Sequence, residues 1–278
     1  MNKIRKYFGS FELTWKKVII FALLSAVYTA LVLIIPVFKG TSVSDIGTYL
    51  EWWILFGVFL AVNSRSPLDA ALKCFVFFLI SQPLIYLLQV PFYHDGFGIF
   101  RYYRYWFVVT LLTIPGGAIA YFVKKDNLVG SLVLSVATAF LAYSGVMYAD
   151  MAFRNFPHHI LSAIFCFALA AFFIVVLIRR KNCRIVAACI TVCALIVSII
   201  ITVSSNSVDP YEFDLEDGEW TYTIEDENIA EITVDGNHVT VKAKNDGGTA
   251  VIFTDENGRE IGYYVDVAPG FIGVSALD

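Results

Sequence analysis

Apolar positions run almost without interruption through the first three quarters of the chain, and past Val203 they begin to alternate with polar ones. The two patterns suit different solvents. A helix needs about 20 consecutive apolar residues to cross a bilayer, at a rise of about 1.5 Å each. Seven stretches come near that length: residues 18–38, 43–62, 67–90, 106–123, 128–149, 157–178 and 185–203. The second is the least continuous, because only 50–62 lacks strongly polar breaks. Its start places Asp45 three residues after Ser42, a capping-box pattern with Asp in place of Glu. The third opens on Ser66, Pro67 and Asp69, an N-cap followed by proline at the first helical position. The alternating part predicts short strands at 219–224, 229–234, 238–243, 249–254 and 260–267. Asp235-Gly236, Gly247-Gly248 and Asn257-Gly258 read as the turns between them. Five or six strands imply a small sandwich with Trp220, Ile229, Ile232, Val239, Val241, Val251 and Phe253 inside.

Composition agrees with two solvents. The chain is 58% hydrophobic and only 16% charged, against about half and about a quarter in ordinary soluble domains. Charge is segregated. Residues 208–278 carry 17 acidic and 3 basic side chains, and the rest of the chain carries 7 and 17. The chain therefore divides into a basic cytoplasmic segment (1–17), a seven-helix transmembrane domain (18–203) and an acidic extracytoplasmic β-domain (204–278).

Basic residues orient the helices. With the N-terminus in the cytoplasm, 13 Lys and Arg fall inside and 4 in the outer loops of the helical region, as the positive-inside rule requires. Removing the second span would put Lys124, Lys125 and the basic cluster at 179–184 outside. Charge thus supports seven spans, and an odd number leaves the β-domain outside. The apolar run from Val18 exceeds the roughly 7–15 residues of a signal-peptide core, so it reads as a retained anchor. Ile4, Tyr7, Phe8, Phe11 and Trp15 recur at helical spacing and predict an amphipathic lead-in lying in the interface.

The β-domain has a recognisable pattern. It runs Trp220, then Ile229-Ala230-Glu231-Ile232, Gly236, Val239-Thr240-Val241-Lys242-Ala243, Gly248-Thr249-Ala250-Val251-Ile252 and Tyr264-Val265-Asp266-Val267. This resembles the bacterial Ig-like, group 2, domain over roughly residues 208–268. The stretch before Trp220 is short for that family's first strands. The resemblance implies an immunoglobulin-like sandwich serving as a spacer or adhesion module, with an envelope protein or glycan as its partner. The membrane region is similar to uncharacterised bacterial polytopic membrane proteins through Phe78-Leu79-Ile80-Ser81-Gln82-Pro83-Leu84-Ile85-Tyr86, a likeness that carries no function.

Polar residues at membrane depth are costly and are therefore functional candidates. Glu51 is the first, about 16 Å along the helix from Val62. Gln82 is the second; beside Pro83, it could instead repair the carbonyl that proline frees. Pro115-Gly116-Gly117 predicts a break in the fourth span. His94, Asp95, Asp150, His158 and His159 fall at outer helix ends, as loop residues or, if loops converge, as ligands. The segment 91–105 is crowded with aromatics, an interfacial belt with Arg101 and Arg104 reaching to phosphates or, alternatively, a lid over a ligand. Ser162, Cys166 and Ala170 read as helix packing.

Five cysteines, none in the acidic domain, form no disulfide framework and no zinc spacing. Asp214, Glu216, Asp217 and Glu219 are the one acidic cluster suggestive of calcium, without an Asp-x-Asp-x-Asp-Gly loop. No hydrolase, metalloprotease, P-loop or dinucleotide signature occurs, so no catalytic residue, metal, cofactor or nucleic-acid partner is expected. The lipid bilayer is the one partner composition implies. Three readings follow: a membrane protein displaying an Ig-like interaction module, a transporter or channel with a polar path lined by Glu51 and Gln82, or an outer-leaflet lipid-modifying enzyme using segment 91–106 with His158 or His159.

Overall fold

The computed structural model describes residues 8–277 except 9, 10, 95, 155, 207, 208, 217, 246 and 269. They form two compact units that divide after Ser198. The helices are α1 (Trp15–Ile34), α2 (Ser42–Thr48), α3 (Leu50–Val62), α4 (Pro67–Gln89), α5 (Tyr103–Ala120), α6 (Leu128–Arg154), α7 (Ile160–Leu177) and α8 (Lys181–Asn206). Six of them, all but α2 and α3, are long and apolar enough to cross a membrane. The pair α2–α3 passes the same test together but bends by 47° at its junction, as a broken span or a re-entrant loop does. Leu24, Val136, Leu161 and Ile164 are each more than half exposed on the outer faces of their helices. Apolar surface of that extent suits lipid better than water.

The sequence predicts one helix over 43–62. Instead the chain is extended at Tyr49, ψ 173°. The cause lies on α1. Thr29 Oγ1 donates to the Gly47 carbonyl at 2.7 Å, and Tyr28 Oη donates to the Val43 carbonyl at 3.1 Å. A Cβ at Gly47 would lie 2.7 Å from the Tyr28 ring and 2.9 Å from Val32. The short helix is thus held against α1 by a contact that only glycine permits, and α3 leaves in a new direction.

Asp45 does not close a capping box. Thr41 is the N-cap, and the Asp45 carboxylate is turned toward α7. The cap on α4 matches expectation: Ser66 Oγ accepts from Asp69 N at 3.1 Å, and Asp69 Oδ2 accepts from Arg65 N at 2.8 Å. Neither proline breaks its helix; α4 runs through Pro83 and α5 through Pro115. Each removes one backbone donor, and the flanking turns continue. Two residues of the expected lead-in meet other helices. Phe8 packs between Phe59 and Phe172, Phe11 packs on Phe21 and Phe59, and Asn63 Oδ1 accepts from Phe11 N. These two rings thus find apolar partners on neighbouring helices. Ile4 and Tyr7 lie outside the described residues.

Besides a smaller one at Tyr148, Ala163 and Cys166, two large apolar clusters lie in the helical unit. One joins α1, α3 and α4 through Val18, Ala22, Leu60, Phe77 and Ile85. The other joins α3, α6 and α7 through Val62, Leu134, Leu141, Leu169 and Phe173. Helix α3 belongs to both.

The second unit has seven strands: β1 (Tyr211–Asp214), β2 (Trp220–Ile224), β3 (Ala230–Asp235), β4 (His238–Ala243), β5 (Gly247–Asp255), β6 (Glu260–Ala268) and β7 (Phe271–Ala276). They make two antiparallel sheets, ordered β1-β4-β3 and β2-β5-β6-β7. Both contribute to one apolar cluster. Of the expected core, Trp220, Ile232, Val239, Val241, Val251 and Phe253 are buried, and Ile229 packs on them partly exposed. Leu215, Ala230, Val265, Val267 and Ile272 complete the buried cluster. Gly236 and Gly258 take positive φ, as the turns demand. Gly247-Gly248 opens β5 instead of forming a turn. Asp214 pairs with His238 at 2.7 Å and Glu216 with Arg259 at 2.6 Å. Asp217 lies outside the described residues.

The hydrogen bond that His238 donates to Asp214, with the Asp214 and Glu212 charges nearby, raises the His238 pKa above its ordinary 6.5. A raised histidine contributes stability below its unfolded pKa and loses it as pH rises through the folded one. The expected result is a His238 titration midpoint above 6.5 by histidine NMR, falling back toward that value in Asp214→Asn. An unshifted wild-type midpoint would contradict the pairing.

Candidate functional site: two polar cavities

Among the described residues, two of the cavities with polar side chains in their walls lie on either side of the first turn of α3. The first has a volume of about 460 Å³. Gln82 and Gln89 of α4, Thr29 of α1, Thr48 of α2 and Trp53 of α3 line it. Tyr93, Ile99, Tyr102, Tyr105 and Trp106 enclose it from the aromatic segment. Val90–Phe92 and Gly96–Arg101 form 3-10 turns there, Phe97 stacks on Phe100, and Tyr86 of α4 touches Phe100 and Tyr103. Arg101 Nη2 donates to Tyr93 Oη at 3.5 Å and to Tyr102 Oη at 3.2 Å. Arg101 is thus tied to two of the enclosing residues, and Arg104 is exposed beside them.

Two donors on this wall have no partner. Gln82 Nε2 and Trp53 Nε1 are buried, with both residues 2% exposed, and neither makes a hydrogen bond. Gln82 therefore does not repair the carbonyl freed by Pro83. A buried donor without an acceptor costs about 1–3 kcal/mol, and both residues belong to the lining of this cavity. Trp53 is fixed by Phe77, Phe78 and Trp106, with ring centroids at 5.6–6.3 Å.

The second cavity, of about 290 Å³, lies among α2, α3, α6 and the start of α7. Asp45, Glu51 and His159 line it with Tyr49, Tyr143 and Tyr148. Asp45 Oδ2 accepts from Ser162 Oγ at 2.8 Å and pairs with His159 Nδ1 at 2.6 Å. Ser162 N donates to Ser42 Oγ at 3.3 Å. His159 sits at φ +66°, just before α7 begins, and its ring lies nearly parallel to Tyr148. Glu51 opens the first turn of α3, is 5% exposed, and its Oε2 has no partner.

Glu51 and Gln82 thus line different cavities rather than one path. Side chains two residues apart on a helix point about 200° apart, so Glu51 and Trp53 face opposite cavities from a single turn of α3. His159 meets Asp45, while His158 is exposed beside it with ring centroids 6.5 Å apart. His94 lies in the aromatic segment, and Asp150 pairs with Arg154 at 3.1 Å. Asp95 lies outside the described residues. The aromatic segment and the histidine pair belong to different cavities. Among the described residues no three His, Cys, Asp or Glu lie together as a metal site would need.

Sequence reading missed Asp45, Trp53, Tyr148 and Ser162. Ser162 packs as expected, together with Cys166 and Ala170, but it also holds Asp45. No family model matches the chain, and comparison with the curated proteins and the solved structures gave no match.

Proposed function

We propose that this is a multi-pass membrane protein of the transporter type, whose helical unit binds an uncharged, planar solute bearing hydrogen-bond acceptors. The observation that carries the reading is that Gln82 and Trp53, each with an unpartnered buried side-chain nitrogen, line the same cavity. Aromatic walls favour a flat ring. The two donors favour a carbonyl or ring nitrogen. No ionised side chain lines the cavity, which disfavours a charged ligand. Its volume suits a small heteroaromatic molecule.

In this reading the α2–α3 pair is one broken span, the seventh. The N-terminus is cytoplasmic, and segment 91–105 lids the cavity from the outer side. The excess of 13 basic residues over 4 supports that orientation. The β unit is an Ig-like module outside the cytoplasm, a spacer or docking point for an envelope protein or glycan. Support for this comes from its two antiparallel sheets and its 17 acidic residues. A periplasm-active reporter fused after Asp278 is expected to be active, and activity of a cytosol-only reporter there would refute the topology.

The solute reading is tested on the purified full chain with adenine, uracil, nicotinamide, a pterin and an isoalloxazine. Binding is read by tryptophan quenching and by thermal midpoint. At least one compound is expected to bind, and Gln82→Leu is expected to weaken it about tenfold or more, the worth of one buried hydrogen bond. The idea fails if no compound binds or if Gln82→Leu binds as wild type does.

A further inference from the structure

We infer that the second cavity is a binding site for an organic ammonium ion. This does not rest on the solute reading, because the two cavities share no lining residue.

Charge comes first. Asp45 and Glu51 both line a cavity whose lining includes no Lys or Arg. Asp45 is already held by His159 and Ser162. Glu51 is not: it is 5% exposed, and its Oε2 reaches no donor. A buried carboxylate without a partner is among the most costly arrangements a protein can keep. A cation in the cavity would supply what the chain does not.

The walls then select the kind of cation. Tyr49, Tyr143 and Tyr148 line the same cavity as the carboxylates, and the Tyr49 and Tyr148 rings meet edge to face at 6.1 Å. Aromatic faces attract ammonium groups, quaternary ones especially, through the ring quadrupole. A divalent metal would need a tighter set of ligands, and the described residues offer no group of three. The volume of about 290 Å³ also exceeds what a bare ion fills. Glu51 supplies the neutralising charge, the tyrosines supply the cage, and the Asp45–His159–Ser162 cluster fixes the wall they stand on.

The ammonium group could belong to a free amine or to a lipid headgroup. The test uses the full chain in nanodiscs of phosphatidylglycerol, with radiolabelled choline, ethanolamine and tetramethylammonium as probes. Binding of at least one is expected. Its neutral carbon isostere, 3,3-dimethylbutanol in the case of choline, is expected to compete at least about tenfold less well. Glu51→Gln is expected to weaken binding about tenfold or more, the effect of losing a charge-assisted contact. Should Glu51→Gln fold poorly, Tyr143→Ala tests the cage from a partly exposed position and is expected to weaken binding by a smaller factor. Gln82→Leu is expected to leave binding unchanged, which separates this site from the first cavity. A parallel arm in phosphatidylcholine or phosphatidylethanolamine nanodiscs, read by native mass spectrometry, asks whether those lipids are retained and lost in Glu51→Gln. Binding in the first arm assigns a free amine, and retention in the second alone assigns a headgroup. The inference is overturned if neither arm gives binding, if the neutral isostere binds as well as choline, or if sodium displaces the probes at equal concentration.

Discussion

Phe253→Ala is expected to unfold the β unit while leaving the helices intact. Phe253 is 1% exposed on β5, between β2 and β6, and its ring meets Phe213, Tyr222 and Tyr263 at centroid distances of 5.8–6.4 Å. Truncating a buried phenylalanine costs about 3–5 kcal/mol through lost transfer energy and the cavity left behind. A small domain has about 5–15 kcal/mol in total and often sits near the lower end. Ile252, the next residue, points to the opposite face and is 38% exposed. Ile252→Ala is therefore expected to stay within about 0.5–1 kcal/mol of wild type. Limited proteolysis of the reconstituted full chain reads the difference: Phe253→Ala loses the β unit rapidly, and Ile252→Ala does not. Equal protease resistance in the two variants would refute the core assignment.

Gly117→Leu is expected to separate α4 from α5. A Cβ at Gly117 would lie 3.0 Å from the Ala70 carbonyl and 3.1 Å from Cys74 Cβ and Sγ. Ala70 and Cys74 lie one turn apart on the same face of α4. Small residues let membrane helices approach closely where no hydrophobic drive exists between them. An inserted leucine cannot be relieved by turning a flexible neighbour, because one of the obstacles is backbone. Overpacking of this kind costs about 1–3 kcal/mol and sometimes more. The adjacent Gly116 has open space around it, so Gly116→Leu is the matched control. Size-exclusion profiles after heating in detergent are expected to show early loss of the monodisperse peak for Gly117→Leu alone. Identical profiles would mean the two helices do not depend on that contact.

Much of this architecture was legible because one solvent rule governs each unit. Long apolar runs marked the six helices that are long and apolar enough to cross a membrane, and strict alternation marked β3 and β4. The break at Tyr49 was not legible, since it depends on how Gly47 meets Tyr28 and Val32 of another helix. β7 escaped notice because only Ile272 in it is buried, so its alternation is too weak to read. At the sites, Glu51 and Gln82 stood out as polar residues in apolar surroundings. Trp53 could not stand out in that way; it is an apolar residue among apolar residues until its indole nitrogen is seen to lack an acceptor. Asp45 misled for a different reason. Its local spacing fits a cap, whereas its partners lie 114 and 117 residues away in the chain.

The kinked α2–α3 junction has a consequence for how any variant there should be interpreted. One short rod carries the indole of one chamber and the carboxylate of the other, and it is wedged into both apolar clusters. A nudge that slides or turns this rod is felt on both of its sides at once. Effects of changes at Glu51 and at Trp53 will therefore not simply add, because each alters the seating of a part they share.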